Sequence, residues 1–231
     1  MLSKSKIDTY EQCPRKFKYA IIDKIPPKPP SPALILGRSV HEIAENIWKE
    51  GLLKVNGDKI TLDLEPSDNP TLNRHIHNLM RLERKRWELC KIKSMPKKYF
   101  FPRLVEEKIE NEKLQINGIV DRVDRELDDS YSIIEIKTGK VHEFKNYKFE
   151  LKFYKYLLMS KKILDNKIKR GVVIFTKTGE VKVGKLGSLG WVKRKINKVR
   201  RKIKEERFER NITTLCNYCD YKKLCLKRFG K

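Results

Sequence analysis

The sequence has no run of apolar residues long enough to cross a bilayer. Its opening stretch, MLSKSKIDTYEQC, also lacks the apolar core that secretory signals carry. We therefore expect a cytoplasmic protein that does not act in a membrane. Glutamine is rare, occurring only at Gln12 and Gln115, whereas Lys, Glu and Ile abound, and this balance leans toward a thermophilic source. No internal repeat is visible along the 231 residues.

Acidic residues are scarce relative to basic ones, with 30 Asp and Glu against 54 Lys and Arg, which gives a net charge of +24. A field of that size favours a polyanionic partner, and nucleic acid is the commonest one. The competing explanations are a basic surface without a partner and one that serves membranes. Because 39% of the residues are apolar, we expect a real core under a charged surface rather than disorder.

Cysteine is limited to five residues, and disulfides are rare in the cytoplasm, so the pattern indicates metal binding more than cross-linking. Three of them form the tail motif Cys216-x2-Cys219-x5-Cys225, and Cys13 near the start is the candidate fourth ligand of a four-sulfur site. This spacing alone fits either zinc or an iron–sulfur cluster. Cys90 has no obvious partner and is interpreted as a small buried hydrophobe.

The apolar spacing predicts an α/β protein. We expect helices over 37–50, about 71–93, 145–162 and 191–209, and an N-terminal helix capped by Ser5. Residues 25–32, IPPKPPSP, should be an extended loop because proline blocks helix propagation. Strands are expected over 103–110, 114–125 and 131–137, followed by a hairpin of 171–176 and 180–183. This order predicts a central mixed sheet of about five strands covered by helices.

Two strands carry the most informative side chains. Glu135 and Lys137 lie two residues apart in IIEIKTG, so they share one face of a strand, and Asp121 could lie beside them across the sheet. Carboxylates are the ligands that Mg²⁺ and Mn²⁺ prefer, and an adjacent ammonium can orient a water and stabilise charge on a phosphate. An ordinary surface Glu/Lys pair is the alternative, since the tripeptide alone is common. The preceding Gly118-Ile-Val-Asp121 brings the odds about even.

Four motifs together resemble the PD-(D/E)XK nucleases, specifically the RecB-like branch that includes the fourth family of CRISPR-associated proteins. Gly37-Arg-Ser-Val-His41 is similar to its G-x-x-x-H helix, Asp121 to its motif aspartate and Glu135-Ile-Lys137-Thr-Gly to its (D/E)-x-K-T-G strand. Glu150-Leu-Lys-Phe-Tyr154 falls where the family has Q-x-x-x-Y. The glutamate replaces the family glutamine, which puts DNA contact at position 150 in doubt because a carboxylate repels phosphate.

The resemblance implies a restriction-endonuclease-like core that cleaves DNA with Mg²⁺ or Mn²⁺, acting as an exonuclease from single-stranded ends. The metal ligands it implies are His41, Asp121, Glu135 and the carbonyl of Ile136, with Lys137 assisting the water and Tyr154 near the DNA. A further glutamate is common on the strand before the motif aspartate, and Glu106 and Glu107 both qualify. The resemblance also implies a structural [4Fe–4S] cluster on Cys13, Cys216, Cys219 and Cys225.

We accordingly expect a single domain over 1–231, with a nuclease core of about 33–190 and a cluster subdomain formed by 1–24 and 191–231. The implied partners are single-stranded DNA and either a CRISPR integrase or a recombination helicase. The alternatives are a nucleic-acid-binding protein that has lost catalysis and one stapled by zinc. The basic stretch 193–204 either follows phosphates or is a solvated helix face. Trp87 and Trp191 are candidates for base stacking, although large aromatics more often belong to a core.

Overall fold

The computed structural model describes residues 1–57, 59–164 and 167–229. Over these ranges the α-helices are α1 (Lys4–Gln12), α2 (Pro14–Phe17), α3 (Pro32–Lys49), α4 (Pro70–Ile92), α5 (Lys148–Ser160), α6 (Gly190–Lys204) and α7 (Lys222–Phe229). The strands are β1 (Leu53–Asn56), β2 (Lys59–Leu62), β3 (Leu104–Asn111), β4 (Ile116–Arg125), β5 (Tyr131–Lys137), β6 (Ile168–Phe175) and β7 (Glu180–Lys185). A π-helix (Lys18–Ile22) and short 3-10 helices, such as Phe144–Tyr147, join them.

The chain folds into two compact units. The first contains residues 1–30, 112–117 and 189–231, and the second contains 31–111 and 118–188. None of the helices within the described residues is both long enough and apolar enough to cross a membrane.

The second unit is built on a five-stranded mixed sheet in the order β3-β4-β5-β6-β7, and the predicted mixed sheet flanked by helices is confirmed. β5 runs antiparallel to β4 and parallel to β6, and β7 returns antiparallel to β6. β5 is buried continuously from Ser132 to Ile136, so both faces of the sheet are covered at this strand. Ile134 and Ile136 pack into a core with Val40 of α3 and Leu79 of α4. On α5, Leu151 and the fully buried Phe153 and Leu157 pack at the sheet, where α5 contacts β3, β5 and β6.

Helix α3 begins five residues earlier than its apolar spacing predicts. The side chain of Ser31 accepts a hydrogen bond from the backbone N–H of Leu34, and Pro32 occupies the first helical position, where its missing N–H costs nothing. The proline-rich loop predicted over 25–32 therefore ends one residue earlier, at Ser31. The cap of α1 is Ser3 rather than the predicted Ser5, and the hairpin of β1 and β2 was not predicted at all.

The first unit brings together segments that are far apart in sequence. The hydroxyl of Tyr10 donates to the carbonyl of Arg207 over 2.5 Å, and Lys195 on α6 pairs with Glu11 on α1 at 2.7 Å. The ring of Phe17 stacks parallel to that of Phe208. The basic helix α6 buries Val192, Ile196 and Val199 and ends at Lys204, five residues before the predicted end.

Candidate metal centre and its surroundings

Three side chains from three elements of the second unit converge on one point. His41 comes from α3, Glu106 from β3 and Asp121 from β4, and their potential ligand atoms all lie within 4.8 Å of one another. His41 Nδ1 lies 2.9 Å from Glu106 Oε1 and 3.8 Å from Asp121 Oδ1. Imidazole nitrogen and carboxylate oxygen are a suitable mixed donor set for a divalent cation. This is the one such group of three among the residues that the structure describes.

Glu106 reaches this cluster through an unusual backbone conformation. Its φ of 41° lies in the left-handed region, which residues other than glycine rarely adopt and which costs on the order of 1–3 kcal/mol. This backbone conformation interrupts the alternation of side chains along β3. The Glu106 carboxylate contacts His41, while the Glu107 side chain is exposed. The sequence could not choose between Glu106 and Glu107, and the geometry places Glu106 at the cluster.

Asp121 is fixed by the end of a β-ladder. The antiparallel pairing of β4 with β5 runs from Arg125/Tyr131 to Arg122/Ile134. Beyond that end, the backbone N–H of Ile136 donates to Asp121 Oδ2 at 2.8 Å, so a side chain takes the place of a backbone acceptor. Since the N–H and C=O of a strand residue point to the same neighbouring strand, the Ile136 carbonyl also points toward β4.

Glu135 and Lys137 form the second half of the site. Glu135 is buried, and its Oε1 accepts a hydrogen bond from Lys137 Nζ at 2.5 Å. Its Oε2 is buried without a hydrogen-bond partner among the described residues. A buried carboxylate oxygen with no donor is costly, so the second oxygen of Glu135 is available for a ligand. Lys137 Nζ also lies 3.1 Å from Glu150 Oε2 on α5.

The crowding of acids changes the pKa values of the site. Burial raises the pKa of Asp121 to about 6, against the lowering effects of His41 and of the Ile136 N–H. Burial, together with Asp121 and Glu150, raises the pKa of Glu135 well above its ordinary value. Burial disfavours the charged form of Lys137, but Glu135 and Glu150 outweigh it and raise its pKa. The excess of carboxylates favours an added cation at the cluster.

Tyr154 lies beside this half of the site. It is buried on α5, one turn after Glu150, and burial with the nearby charges of Glu135 and Glu150 raises the pKa of its hydroxyl. A Cβ added to Gly118 would lie 3.1 Å from the Tyr154 ring. The glycine of the Gly118-Ile-Val-Asp121 motif therefore leaves room for the tyrosine against β4.

A buried ion-pair network begins at Arg122, the chain neighbour of Asp121, and sequence reasoning missed it. The guanidinium of Arg122 donates to both oxygens of Asp124, at 2.9 and 2.7 Å, and to Glu83 Oε1 on α4 at 2.6 Å. Arg86 contacts Glu83 and lies 3.4 Å from Asp124. Two cations thus balance two anions inside the unit. The sequence showed only that Arg122 and Asp124 lie two residues apart on a predicted strand and so share one of its faces.

The cysteines occupy the first unit. Cys13, Cys216, Cys219 and Cys225 all line one cavity of about 210 Å³, together with apolar side chains that include Tyr19 and Leu215. Cys90 is buried in the core of the second unit, as its interpretation as a small hydrophobe expected. Trp87 is also core, whereas Trp191 is partly exposed.

Comparison with known proteins agrees with this geometry. The family model of the PD-(D/E)XK nuclease superfamily matches residues 1–226. The chain therefore belongs to the PD-(D/E)XK nuclease superfamily. None of the curated proteins matches the chain.

A solved structure shows the same fold, and a second is less similar. A protein from Eubacterium rectale named "Putative exonuclease" is 10% identical, with a TM-score of 0.55 over 99% of this chain and 92% of its own. A second structure, named SSO0001, is 13% identical, with a TM-score of 0.46 over 99% of this chain and 87% of its own.

Proposed function

We propose that the protein is a divalent-metal-dependent deoxyribonuclease that acts on single-stranded DNA ends. The observation that carries the proposal is the convergence of His41, Glu106 and Asp121, next to a buried Glu135 that has one unpaired oxygen. Membership in a nuclease superfamily supports phosphodiester hydrolysis. The net charge of +24 supports a nucleic-acid substrate, and the name of the Eubacterium rectale protein supports attack from an end.

The donor set fits Mg²⁺ or Mn²⁺. His41, Asp121 and Glu135, with the carbonyl of Ile136 and with Glu106 as an additional carboxylate, would hold the cation. When bound, a divalent cation polarises the scissile phosphate and lowers the pKa of a coordinated water. One imidazole among several carboxylates favours Mn²⁺ over Mg²⁺, because nitrogen is a softer donor than oxygen.

Lys137 supplies positive charge rather than a base. Since Glu135 and Glu150 raise its pKa, the amine stays protonated at neutral pH and cannot accept a proton. Its three N–H groups can hold a water or a phosphate oxygen in place as negative charge develops. Tyr154 is buried one turn from Glu150 and is proposed to line the path of the DNA. It is not proposed to transfer a proton, because the pKa of its hydroxyl is raised.

A digestion assay tests this function. Linear single-stranded, linear double-stranded and circular single-stranded DNA, labelled at either end where they have ends, are incubated with Mn²⁺, Mg²⁺, Ca²⁺ or EDTA. We expect loss of linear single strands with Mn²⁺ or Mg²⁺ and survival of circles. Lys137→Ala should bind DNA but not cut it, whereas Lys140→Ala, which removes an exposed charge three residues away, should cut normally. Normal cutting by Lys137→Ala or by Asp121→Asn would refute the assignment.

We also propose that the four-cysteine cavity holds a [4Fe–4S] cluster with a structural role. Cys13, Cys216, Cys219 and Cys225 all line one cavity of about 210 Å³, which supplies the four thiols that such a cluster needs. Anaerobically purified protein should be brown, with broad visible absorbance that Cys216→Ala abolishes. A colourless protein with stoichiometric zinc would contradict this.

Two biological roles fit the chemistry, both in the cytoplasm. One is trimming of DNA before CRISPR spacer integration with an integrase partner, and the other is exonuclease work beside a recombination helicase. A trimming enzyme should shorten a duplex with single-stranded overhangs to a fixed length when the integrase is present. A recombination nuclease should instead degrade long strands and be stimulated by helicase unwinding.

A further inference from the structure

A second cavity lies beside the metal cluster in the same unit. It has a volume of about 240 Å³ and is formed by the end of α3 and the segment that leads into β3. Its lining combines aromatic and charged side chains, which include Trp48, Lys49, Phe101, Arg103 and Glu107. The volume is below the roughly 300–1,000 Å³ of sites for drug-sized ligands, so it suits one planar ring system.

Phe101 presents an open aromatic surface in this cavity. Its ring makes edge-to-face contacts with Trp48, at 6.1 Å between centroids, and with Phe100, at 5.6 Å. These contacts hold the ring in place while 42% of the residue stays exposed. Phe100, the preceding residue in the chain, is fully buried and anchors the segment. An aromatic ring held in this way is a platform for stacking, since every nucleobase offers a planar face.

The cavity is close enough to the metal cluster to share one substrate with it. Trp48 follows His41 by two turns of α3, a rise of about 10 Å, on the same side of the helix. Glu107 in the lining is the chain neighbour of Glu106 in the cluster. Lys49 Nζ also lies 3.5 Å from the backbone carbonyl of Glu106. A strand whose phosphate reaches the cluster can therefore place a nearby base in the cavity.

The charges around the cavity match the parts of a nucleotide. The exposed side chain of Arg103 is a suitable partner for a flanking phosphate, and the exposed Lys49, which also pairs with Glu45 at 2.7 Å, adds a second cation to the lining. Glu107 would repel phosphate, but it can accept a hydrogen bond from the exocyclic amino group of adenine, cytosine or guanine. The aromatic ring, the cations and the acid thus favour a base with an amino group over thymine.

We propose that this cavity binds one nucleobase of the single-stranded substrate, a short distance from the scissile phosphate, by stacking on Phe101. The inference rests on the proposed nuclease function and deepens it, because it assigns a base-binding subsite to the DNA path.

Binding measurements with an altered DNA test the subsite. Single strands that lack one base at successive positions from the end are bound in Ca²⁺, which replaces the catalytic cation and prevents cutting. Phe101→Ala should weaken binding of intact DNA roughly tenfold, whereas Phe101→Tyr should bind like the wild type. At one position, loss of the base should weaken wild-type binding by the same factor and leave Phe101→Ala unaffected. Ile92→Ala, which shortens a residue of α4 that is 79% exposed, is the matched control.

The outcomes separate this proposal from the nuclease function. Full additivity of the Phe101→Ala and base-removal effects at every position would overturn the subsite, even if DNA is cut normally. Failure of the wild type to cut any DNA with Mn²⁺ or Mg²⁺ would overturn the nuclease function instead. Circular dichroism of Phe101→Ala and of Phe101→Tyr ensures that a lost fold is not taken for a lost contact.

Discussion

The ammonium of Lys137 lies 3.1 Å from a carboxylate oxygen of Glu150, a residue that stands where related nucleases have glutamine. Sequence comparison alone presented this glutamate as a liability for DNA binding. The contact gives it a different meaning, because Glu150 is buried and faces the lysine rather than solvent. Lys137 is shared between Glu135 and Glu150, so it would keep one acidic partner if Glu135 held the proposed cation.

Glu150→Gln should therefore weaken metal binding and strengthen DNA binding. The change removes one negative charge close to the metal cluster while the amide oxygen can still accept from Lys137. We expect Mn²⁺ to bind about tenfold more weakly, a cost of about 1.4 kcal/mol that is reasonable for the loss of one nearby charge. Calorimetric titration with Mn²⁺ and DNA affinity in Ca²⁺ measure the two effects. Glu143→Gln, which removes an exposed charge just before α5, should change neither, and equal effects in both variants would show that Glu150 acts only through net charge.

A buried hydrogen-bond chain holds the end of β5, where Lys137 emerges. The hydroxyl of Thr176 donates to the carbonyl of Lys137 at 3.2 Å and lies 2.7 Å from His75 Nδ1. Burial, with Arg74 and Lys177, lowers the pKa of His75. When the Thr176 hydroxyl donates to Lys137, the His75 tautomer that completes the chain is the one with its proton on Nδ1. We expect this chain to position Lys137 through its backbone carbonyl.

Removing the hydroxyl should slow cutting more than it weakens binding. For Thr176→Val, which keeps the shape, we expect kcat to fall about tenfold while DNA affinity in Ca²⁺ is retained. Thr176→Ser, which keeps the hydroxyl, should restore kcat. Single-turnover cleavage measures the rate, and an equal loss in the valine and serine variants would mean that packing of the methyl group matters instead.

The Arg122 network should contribute strongly to stability because removal of one member leaves buried charges unpaired. We expect Arg122→Met to lower the free energy of unfolding by about 3–5 kcal/mol, since Glu83 and Asp124 lose their main partner. Arg84→Met, which changes an exposed residue next to Glu83 on α4, should cost within about 0.5 kcal/mol. Urea unfolding of the metal-free proteins gives both values, and similar costs for the two variants would contradict the role of the network.

Much of the core was predictable because its signals are local. Alternation in β5 and helical spacing in α3 depend only on neighbouring residues, and so does the placing of Glu135 and Lys137 on one face. Glu106 was not predictable, because strand alternation puts Glu106 and Glu107 on opposite faces without saying which face meets His41. The left-handed backbone at Glu106 then breaks that alternation.

Long-range partners were beyond the sequence for a different reason. Arg122 and Glu83 are 39 residues apart, and nothing in either segment names the other. The same holds for Glu150 and Lys137, and for the aromatic cavity around Phe101. Each of these depends on how helices dock on the sheet, which apolar spacing predicts only in outline.

The raised pKa of Asp121 makes the stability of the metal-free protein depend on pH. A carboxyl whose pKa is about 6 in the folded state and 3.8 ordinarily favours folding when it is protonated. Its contribution is fully present below about pH 4 and is lost as the pH rises through about 6, roughly 3 kcal/mol in all. The raised pKa of His41 acts in the same direction, because its protonated form is also favoured in the folded state.

In EDTA, the wild type should therefore unfold at a lower temperature at pH 7.5 than at pH 5, and Asp121→Asn should flatten this slope and stabilise the protein at pH 7.5. Saturating Mn²⁺ should reverse the order, because the cation binds the ionised carboxylates of the wild type and stabilises the folded state by mass action. Glu88→Gln, an exposed change on α4, should follow the wild type throughout. Thermal unfolding across this pH range measures all three proteins, and identical slopes for the wild type and Asp121→Asn in EDTA would show that Asp121 is not held at a raised pKa.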